Sequence, residues 1–317
     1  MTELERDRLM GLKATHAAAG ALEARVSHYP EILNSLLELV KIRITFFVGM
    51  SAAFGYIIGA GGITAGMFLP VVGIFMISCA SAALNHYQEV KTDSLMHRTR
   101  KRPLPTGAVT TTGALALVVG LALAGSLVLY LTGGSLALVL ALMAFLWYNG
   151  IYTPLKKVSA HAVIPGSFVG SLPVMAGWAA AGGSLLDPRL AAISLFFFVW
   201  QIPHFWLLME IYSADYERAG FPTLRLMYSK RFLAIATFGW MLLLVFLSGS
   251  FIVTGVLKNL VAELSLVGLG VWLIGGSYQI ISGWGDKLVI KSAFLKINVY
   301  VLAVTLLVMI DKVLNII

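Results

Sequence analysis

The sequence has little charge and almost no cysteine, and each shortage excludes a class of protein. Asp, Glu, Lys and Arg together make up 12% of the 317 residues, while hydrophobic residues make up 59%. Soluble domains carry about twice that share of charged residues, so the composition predicts an integral membrane protein. The single cysteine, Cys79, excludes an intrachain disulfide and a metal site built from cysteines.

The sequence also lacks the short motifs of several common enzyme classes. It contains no Walker-type lysine loop, no glycine-rich dinucleotide turn, no serine-triad pattern and no zinc-ligand spacing. These absences argue against nucleotide hydrolases of the P-loop type, nicotinamide-dependent oxidoreductases, serine hydrolases and zinc enzymes.

Long apolar runs fill most of the chain. A transmembrane helix needs roughly 20 mainly apolar residues, and the runs predict nine such helices. They indicate an all-α membrane protein, a bundle of nine transmembrane helices around a central cavity that opens to the cytoplasmic side. The predicted helices are Ile44–Ala60, Met67–Tyr87, Thr112–Leu131, Leu136–Ile151, Ala160–Ala181, Leu190–Ile211, Phe232–Leu257, Leu264–Ile281 and Ala293–Ile310.

Lys and Arg residues are distributed unevenly between the two sides of this predicted bundle. If the N-terminus is cytoplasmic, 20 of the 23 lie on the cytoplasmic side, and only Arg189, Lys258 and Lys312 lie opposite. Cytoplasmic loops retain positive charge, so we expect a cytoplasmic N-terminus and an external C-terminus in the cell (inner) membrane. Positive charge retained in cytoplasmic loops accounts for the net charge of +8. We therefore expect no nucleic-acid partner.

Residues 1–43 are expected to form a cytoplasmic segment ahead of the transmembrane domain, which covers residues 44–317. Within this segment, Glu31–Arg43 has apolar residues spaced between polar ones. That pattern is typical of a helix lying at the membrane interface.

The most polar stretch of the chain, Asn85–Gly107, follows directly on an apolar run. At about 100° per residue, Asn85, Glu89 and Asp93 lie within about 80° of one another around a helix, so an amide and two carboxylates share one face. Oxygen ligands without Cys or clustered His suit Mg²⁺, which also binds substrate phosphate oxygens. Asp215, from another polar loop, is the expected partner of Asp93. The alternative is a solvated helix whose acids pair with nearby basic residues.

Basic residues accompany these acids. Arg98 and Arg102 lie in the same stretch, and Lys156, Lys157 and Arg218 lie in later polar loops. Guanidinium and ammonium groups bind phosphate oxygens. We therefore expect phosphate binding here, although membrane topology by itself accounts for some of these charges, and the lysines at 156 and 157 equally suit an aromatic belt with snorkelling side chains.

His204 lies beside Pro203 inside the predicted sixth helix, where a histidine is costlier than at the surface. A lone histidine is more often a hydrogen-bonded packing residue than a ligand, and both roles stay open for it.

Three stretches, together with a shorter one near the start of the first span, resemble one family. NHYQEVKTDSLMHRTRKRPLPTG from Asn85 resembles the Asn-x3-Glu-x3-Asp, Met-x-Arg-Thr and Arg-Pro-Leu signature of the protohaem IX farnesyltransferases, or haem O synthases, in the UbiA-type intramembrane prenyltransferase superfamily. GSFVGSLPVMAGW from Gly166 and WQIPHFW from Trp200 resemble that family's fifth and sixth spans, and LVKIRIT from Leu39 resembles the start of its first. Ile42 stands where the family usually has proline.

The resemblance implies transfer of a farnesyl group from farnesyl diphosphate to a vinyl group of haem b, giving haem O. It implies Mg²⁺ held by Asn85, Glu89, Asp93 and Asp215, and a diphosphate bound by Arg98, Arg102, Lys156, Lys157 and Arg218. It further implies that Tyr148, Tyr152 and Trp206 stabilise an allylic cation, and that His204 and His86 contact the haem iron. Haem A synthase or oxidase assembly proteins are the implied protein partners.

Two other functions stay open at this point. One is a UbiA-type prenyltransferase with another aromatic or quinone-type acceptor. The other is a transporter, which predicts broken helices with polar groups near the bilayer midplane. The ionisable residues of this sequence instead lie mostly at predicted helix ends on one side.

Overall fold

The computed structural model describes residues 31–314, and every regular element within that range is helical. Among residues 31–314, eight helices, with the short segments that extend some of them, are long and apolar enough to cross a membrane. The predicted all-α membrane fold is therefore confirmed. The long helices are α1 (Ile42–Ala60), α2 (Phe68–Leu95), α3 (Thr111–Leu146), α4 (Phe168–Ala180), α5 (Pro188–Ile211), α6 (Lys230–Val253), α7 (Leu260–Ser277) and α8 (Lys287–Leu314).

Short helical segments lie between or extend the long ones. Trp147–Tyr152 is a π-helical turn, and Ala65–Met67 is a 3₁₀ turn. The remaining short helices are Thr153–Leu155, Val163–Gly166, Ser213–Arg218, Leu224–Met227 and Ile280–Gly283.

The longest apolar segment, residues 111–155, folds back on itself at Gly134. Gly134 has φ 82° and ψ 173°, a backbone conformation that interrupts the helix and that glycine adopts readily. Leu129 packs directly over Gly73 of α2, whereas Asn149 donates a hydrogen bond to Ser81 Oγ at 2.7 Å. A straight helix would carry 20 residues about 30 Å, yet these contact points on α2 are about 12 Å apart. The predicted count of nine crossings requires this reversal and stays a prediction.

Helices α1 and α4 cross at close range because glycines face backbone there. A Cβ atom on Gly55 would overlap the carbonyl oxygen of Val174, and one on Gly177 would overlap that of Ala52. Small residues permit such close packing of membrane helices. The predicted fifth span is accordingly tightly packed, and it is divided into two helices on either side of Ser167.

The outer surface of the bundle is apolar. Phe246 and Val253 of α6 are 77% and 89% exposed. Hydrocarbon lipid solvates such side chains well, so the exposed apolar surface fits a bilayer environment.

Residues 31–39 are helical and precede α1. Leu33 is 57% exposed, whereas Leu39 is fully buried against residues of α2 and α3. The helix thus exists and is anchored at its end, while its position at a membrane interface and its cytoplasmic location stay predictions. Residues 1–30 of the predicted N-terminal segment lie outside the described part of the chain.

Three polar loops meet at the end of the bundle where α2 ends. The loop after α2 contacts the loop after α5, because backbone N–H groups of residues 97 and 98 donate to Asp215. The connection before α4 contacts the same loop after α5, since His161 Nε2 lies 2.9 Å from Tyr228 Oη. This end of the bundle holds the candidate site.

Candidate active site

Asn85, Glu89 and Asp93 lie on one buried face of the last three turns of α2. Their exposed fractions are 0%, 4% and 1%. The apolar run of α2 continues into this polar stretch without a helix break until Met96, which has an extended backbone. Burying two carboxylates requires compensating charge or hydrogen bonds, so the contacts of each side chain determine what the site can bind.

Glu89 pairs with Lys156, which follows the π-helical turn. Glu89 Oε1 lies 2.5 Å from Lys156 Nζ, and the lysine side chain is 20% exposed. Burial lowers the pKa of Lys156, but the Glu89 carboxylate and the neighbouring tyrosines Tyr152, Tyr148 and Tyr216 together raise that pKa above its usual range. Lys156 is therefore a permanent cation at the site.

Asp93 pairs with Arg102, from the loop that follows α2. Asp93 Oδ2 accepts a hydrogen bond from Arg102 Nη1 at 2.7 Å. Thr99 Oγ1 donates to the Asp93 carbonyl oxygen at 2.9 Å, which fixes the turn that brings the arginine back. The sequence placed this arginine near the acids, and the structure shows the ion pair.

Asn85 contacts a third cation, Lys41, which the sequence interpretation did not single out. Lys41 Nζ donates to Asn85 Oδ1 at 2.7 Å, and Asn85 Nδ2 donates to Thr153 Oγ1 at 3.0 Å. Burial and then repulsion from Arg102 lower the pKa of Lys41 to about 7. Its φ of 51° is the one positive φ of a non-glycine residue in residues 31–314, a left-handed conformation that costs energy and is found at functional sites.

Asp215 joins the site through backbone atoms. Its two carboxylate oxygens accept hydrogen bonds from the N–H groups of His97 and Arg98, each at 3.1 Å. Arg218 Nη1 lies 3.4 Å from Asp215 Oδ1 and is mostly exposed. The two acidic segments therefore meet, as predicted. A metal-binding role for Asp215 stays a prediction, because no group of three His, Cys, Asp or Glu side chains with metal-binding spacing occurs in residues 31–314.

Two other predicted phosphate ligands point elsewhere. The exposed Arg98 guanidinium stacks over the Tyr212 ring, with 5.0 Å between Cζ and the ring centroid. Lys157 is exposed and donates to the carbonyl oxygen of Gln88 at 3.2 Å. Of the five predicted cations, Arg102 and Lys156 thus lie directly against the buried acids.

Aromatic rings lie next to Lys156. Tyr152 has its centroid 5.5 Å from Lys156 Nζ, and the Tyr148 ring lies 5.6 Å from that of Tyr152. Phe205 lies 6.2 Å from Tyr152 on its other side. The aromatic layer next to the cations is therefore built from Tyr148, Tyr152 and Phe205.

Trp206 lies away from this layer. It lines a small cavity with Glu210, Arg225 and Trp284, so the structure does not bring it together with the two tyrosines. The adjacent Phe205 takes that place and was missed by sequence reasoning. Neighbouring residues on a helix point about 100° apart, and the sequence does not fix which of the two faces Tyr152.

The two candidate histidines have different surroundings. His204 is half-buried, with its Nδ1 2.8 Å from Asn298 Oδ1 of α8. His86 is 1% exposed, and neither of its ring nitrogens hydrogen-bonds to a residue within 31–314. His204 is therefore the one of the two that a ligand could reach in this structure.

The donor set at the end of α2 fits a hard divalent cation. Its available ligands are carboxylate and amide oxygens, with neither cysteine nor a histidine cluster, and Mg²⁺ prefers such ligands. The three cations beside the acids fit an anionic, phosphate-bearing ligand bound with that metal. Binding of a metal–diphosphate complex at this site stays a prediction, which these residue types favour.

Comparison with known proteins gives one consistent family. The sequence profile described as "UbiA prenyltransferase family" matches residues 44–299. A curated protein named protoheme IX farnesyltransferase from Oleidesulfovibrio alaskensis is 36% identical over 191 residues, which cover 60% of this chain and 68% of that protein.

Solved structures share the fold. The structure described as digeranylgeranylglyceryl phosphate synthase has a TM-score of 0.70 and 16% identity, covering 89% of this chain and 99% of the other. A UbiA homolog from Archaeoglobus fulgidus, bound to GPP and Mg²⁺, has a TM-score of 0.63 and 15% identity, covering 87% of this chain and 99% of its own.

Proposed function

Because the chain belongs to the UbiA prenyltransferase family and is a prenyltransferase, we propose that it transfers a farnesyl group from farnesyl diphosphate to a vinyl group of haem b. The observation that carries the donor half of this proposal is the buried row of Asn85, Glu89 and Asp93, in which each side chain contacts its own cation. The name of the curated relatives supports the acceptor half.

The cations are the residues that bind the diphosphate. Lys156, Arg102 and Lys41 are held at the site by their contacts with α2, so these basic side chains are preorganised where a phosphate would bind. Asn85, Glu89 and Asp93 would hold Mg²⁺. The resemblance adds Asp215 to this set, but both of its carboxylate oxygens accept backbone N–H groups here, so we propose the three residues of α2 as the metal ligands. The bound ion would neutralise charge on the diphosphate as it leaves.

The aromatic layer would act on the farnesyl group, which becomes a cation when the diphosphate leaves. Breaking the farnesyl C1–O bond leaves an allylic cation and sends the electron pair to the diphosphate. The Tyr152 ring lies next to Lys156, and Tyr148 and Phe205 pack against Tyr152, so these rings can stabilise that cation. The π electrons of the haem vinyl group form the new carbon–carbon bond, and water adds at the remaining carbon and releases a proton.

Changing Glu89 to Gln tests the reaction and the acceptor together. The substitution keeps the size of the side chain but removes the charge that balances Lys156, and we expect diphosphate release to fall at least about 100-fold, as for other losses of preorganised charge stabilisation. Haem extracts of cells expressing the wild-type chain should contain haem O, and extracts with Glu89→Gln should not.

Two outcomes would contradict the proposal in different ways. Haem O absent from both extracts, with diphosphate release intact and a prenylated aromatic or quinone-type product detected by mass, would assign another acceptor. Diphosphate release unchanged in Glu89→Gln would remove the proposed donor site.

We also propose that the site opens to the cytoplasm of a cell membrane, with a cytoplasmic N-terminus. If the N-terminus is cytoplasmic, 20 of the 23 Lys and Arg of the chain lie on the same side as the loops that build the site. Fusions truncated after residue 105 should give fluorescence from a green fluorescent protein reporter, and fusions after residue 185 should give alkaline phosphatase activity. The reverse pattern would invert the orientation.

A further inference from the structure

The hydrogen bonds around His204 define which of its ring nitrogens carries the proton. Asn298 of α8 donates a hydrogen bond from Nδ2 to the carbonyl oxygen of Phe294 at 2.6 Å. A carbonyl oxygen only accepts, so the amide nitrogen of Asn298 must face Phe294 and its amide oxygen must face His204. His204 Nδ1 lies 2.8 Å from that oxygen and must therefore donate. In the neutral ring, Nε2 then carries a lone pair.

Nε2 of His204 is also available. Within residues 31–314, this ring makes one hydrogen bond, the one from Nδ1 to Asn298. Nε2 makes none in this range, and it is not among the fully buried polar atoms that lack a partner. Aromatic rings surround the imidazole, with centroids 5.3 Å away for Trp200, 5.2 Å for Phe205 and 5.0 Å for Phe294. An apolar, aromatic surround with one exposed lone pair suits a large flat ligand that carries a metal.

A short chain of contacts connects the His204 ring to the buried acids. Phe205 packs against His204, and its other neighbour is Tyr152, 6.2 Å away. Tyr152 in turn lies 5.5 Å from Lys156, the partner of Glu89. Two aromatic rings thus separate His204 from the proposed diphosphate site, which places an acceptor bound at His204 beside the prenyl donor.

We infer that Asn298 is a positioning residue that fixes His204 as the Nδ1–H tautomer, so that Nε2 ligates the iron of the haem acceptor. This inference rests on the proposed function, because it takes haem b as the acceptor. Hydrogen bonds of this kind orient metal-binding histidines and increase their basicity, and their loss typically weakens metal affinity about 10- to 100-fold.

The test is a titration of the purified full-length chain with ferric haem b, followed by the Soret band and by electron paramagnetic resonance. The wild-type chain should give the spectrum of an iron with a histidine ligand, and His204→Ala should lose it. Asn298→Leu, which removes the acceptor for Nδ1–H, should weaken the haem affinity by about tenfold or more. Asn298→Asp keeps an acceptor oxygen and should retain the histidine-ligated spectrum.

Thr305→Val is the matched control on the same helix. Thr305 also donates a side-chain hydrogen bond to the carbonyl oxygen four residues earlier, but it has no contact with His204. It should leave both the affinity and the spectrum unchanged. Binding of farnesyl diphosphate with Mg²⁺, measured on each preparation, reports whether a variant is folded.

The outcomes separate this inference from the function on which it rests. A wild-type chain that binds farnesyl diphosphate but gives no histidine-ligated haem spectrum would overturn the acceptor assignment and the inference together. A His204-dependent spectrum that Asn298→Leu leaves at wild-type affinity would overturn the inference alone. A haem spectrum that persists in His204→Ala would place the iron ligand elsewhere.

Discussion

Asp93 and Asp215 lie at the same end of the bundle, but the structure uses their carboxylates differently. The Asp93 side chain is 2% exposed and pairs with a guanidinium, whereas that of Asp215 is 13% exposed and accepts two backbone N–H groups. A buried carboxylate requires a countercharge, while hydrogen bonds to backbone N–H groups satisfy one that caps a loop. We therefore expect Asp93 to supply negative charge at the site. We expect Asp215 to fix the shape of the loop that carries Arg102.

Exchanging each carboxylate for an amide is the strongest way to break this comparison. Asp93→Asn removes the charge that would face Mg²⁺ and leaves Arg102 without its partner, so kcat/KM for diphosphate release should fall at least about 100-fold. Asp215→Asn keeps one acceptor oxygen for the loop and should cost about threefold, close to one neutral hydrogen bond. Steady-state release of diphosphate from farnesyl diphosphate and haem b measures both.

Asp187→Asn is the control for this pair. Asp187 pairs with Arg189 at the start of α5, at the other end of that helix from the loop with Asp215, and its loss should leave kcat/KM unchanged. Equal losses in Asp93→Asn and Asp215→Asn would contradict the distinction. That result would support the sequence-based prediction that both carboxylates hold the metal.

The two segments also differ in how much of them the sequence could predict. The shared face of Asn85, Glu89 and Asp93 follows from helical periodicity within one stretch, and the structure confirms it. The contact between the loops of Asp93 and Asp215 was expected from charge, but the sequence contains nothing that says whether a carboxylate faces a metal or a backbone N–H group. That choice depends on where two loops, far apart in the chain, come to rest.

Lys41 and Phe205 are two further residues whose contacts could not be predicted from the local sequence. Lys41 lies 44 positions before Asn85 and reaches it through a left-handed turn, which no local pattern of the sequence announces. Phe205 and Trp206 are equivalent aromatic candidates in the sequence, and the rotation of α5 decides between them. The third and fourth apolar runs were predicted as separate spans because Gly133 and Gly134 lie between them, and the structure interrupts the helix at Gly134.

Arg102 and Lys157 allow a second comparison, between two basic residues. The sequence predicts both as diphosphate ligands, but their contacts in the structure differ. Arg102 is 15% exposed and bonded to Asp93, whereas Lys157 is exposed and bonded to a backbone carbonyl. Arg102→Gln should raise the KM for farnesyl diphosphate about tenfold, the value of one hydrogen bond to a charged group. Lys157→Gln should change it by less than about threefold, as for an exposed charge.

Salt separates the two explanations of any change in KM. An exposed lysine acts through a field that salt screens within about 10 Å at 0.1 M, so any effect of Lys157→Gln should vanish as salt is raised, while the effect of Arg102→Gln should persist. If the two substitutions raised KM equally and lost their effects together in salt, Arg102 would be a steering charge like Lys157. The ion pair with Asp93 would then serve to balance a buried carboxylate, and diphosphate binding would depend on Lys156 and Lys41.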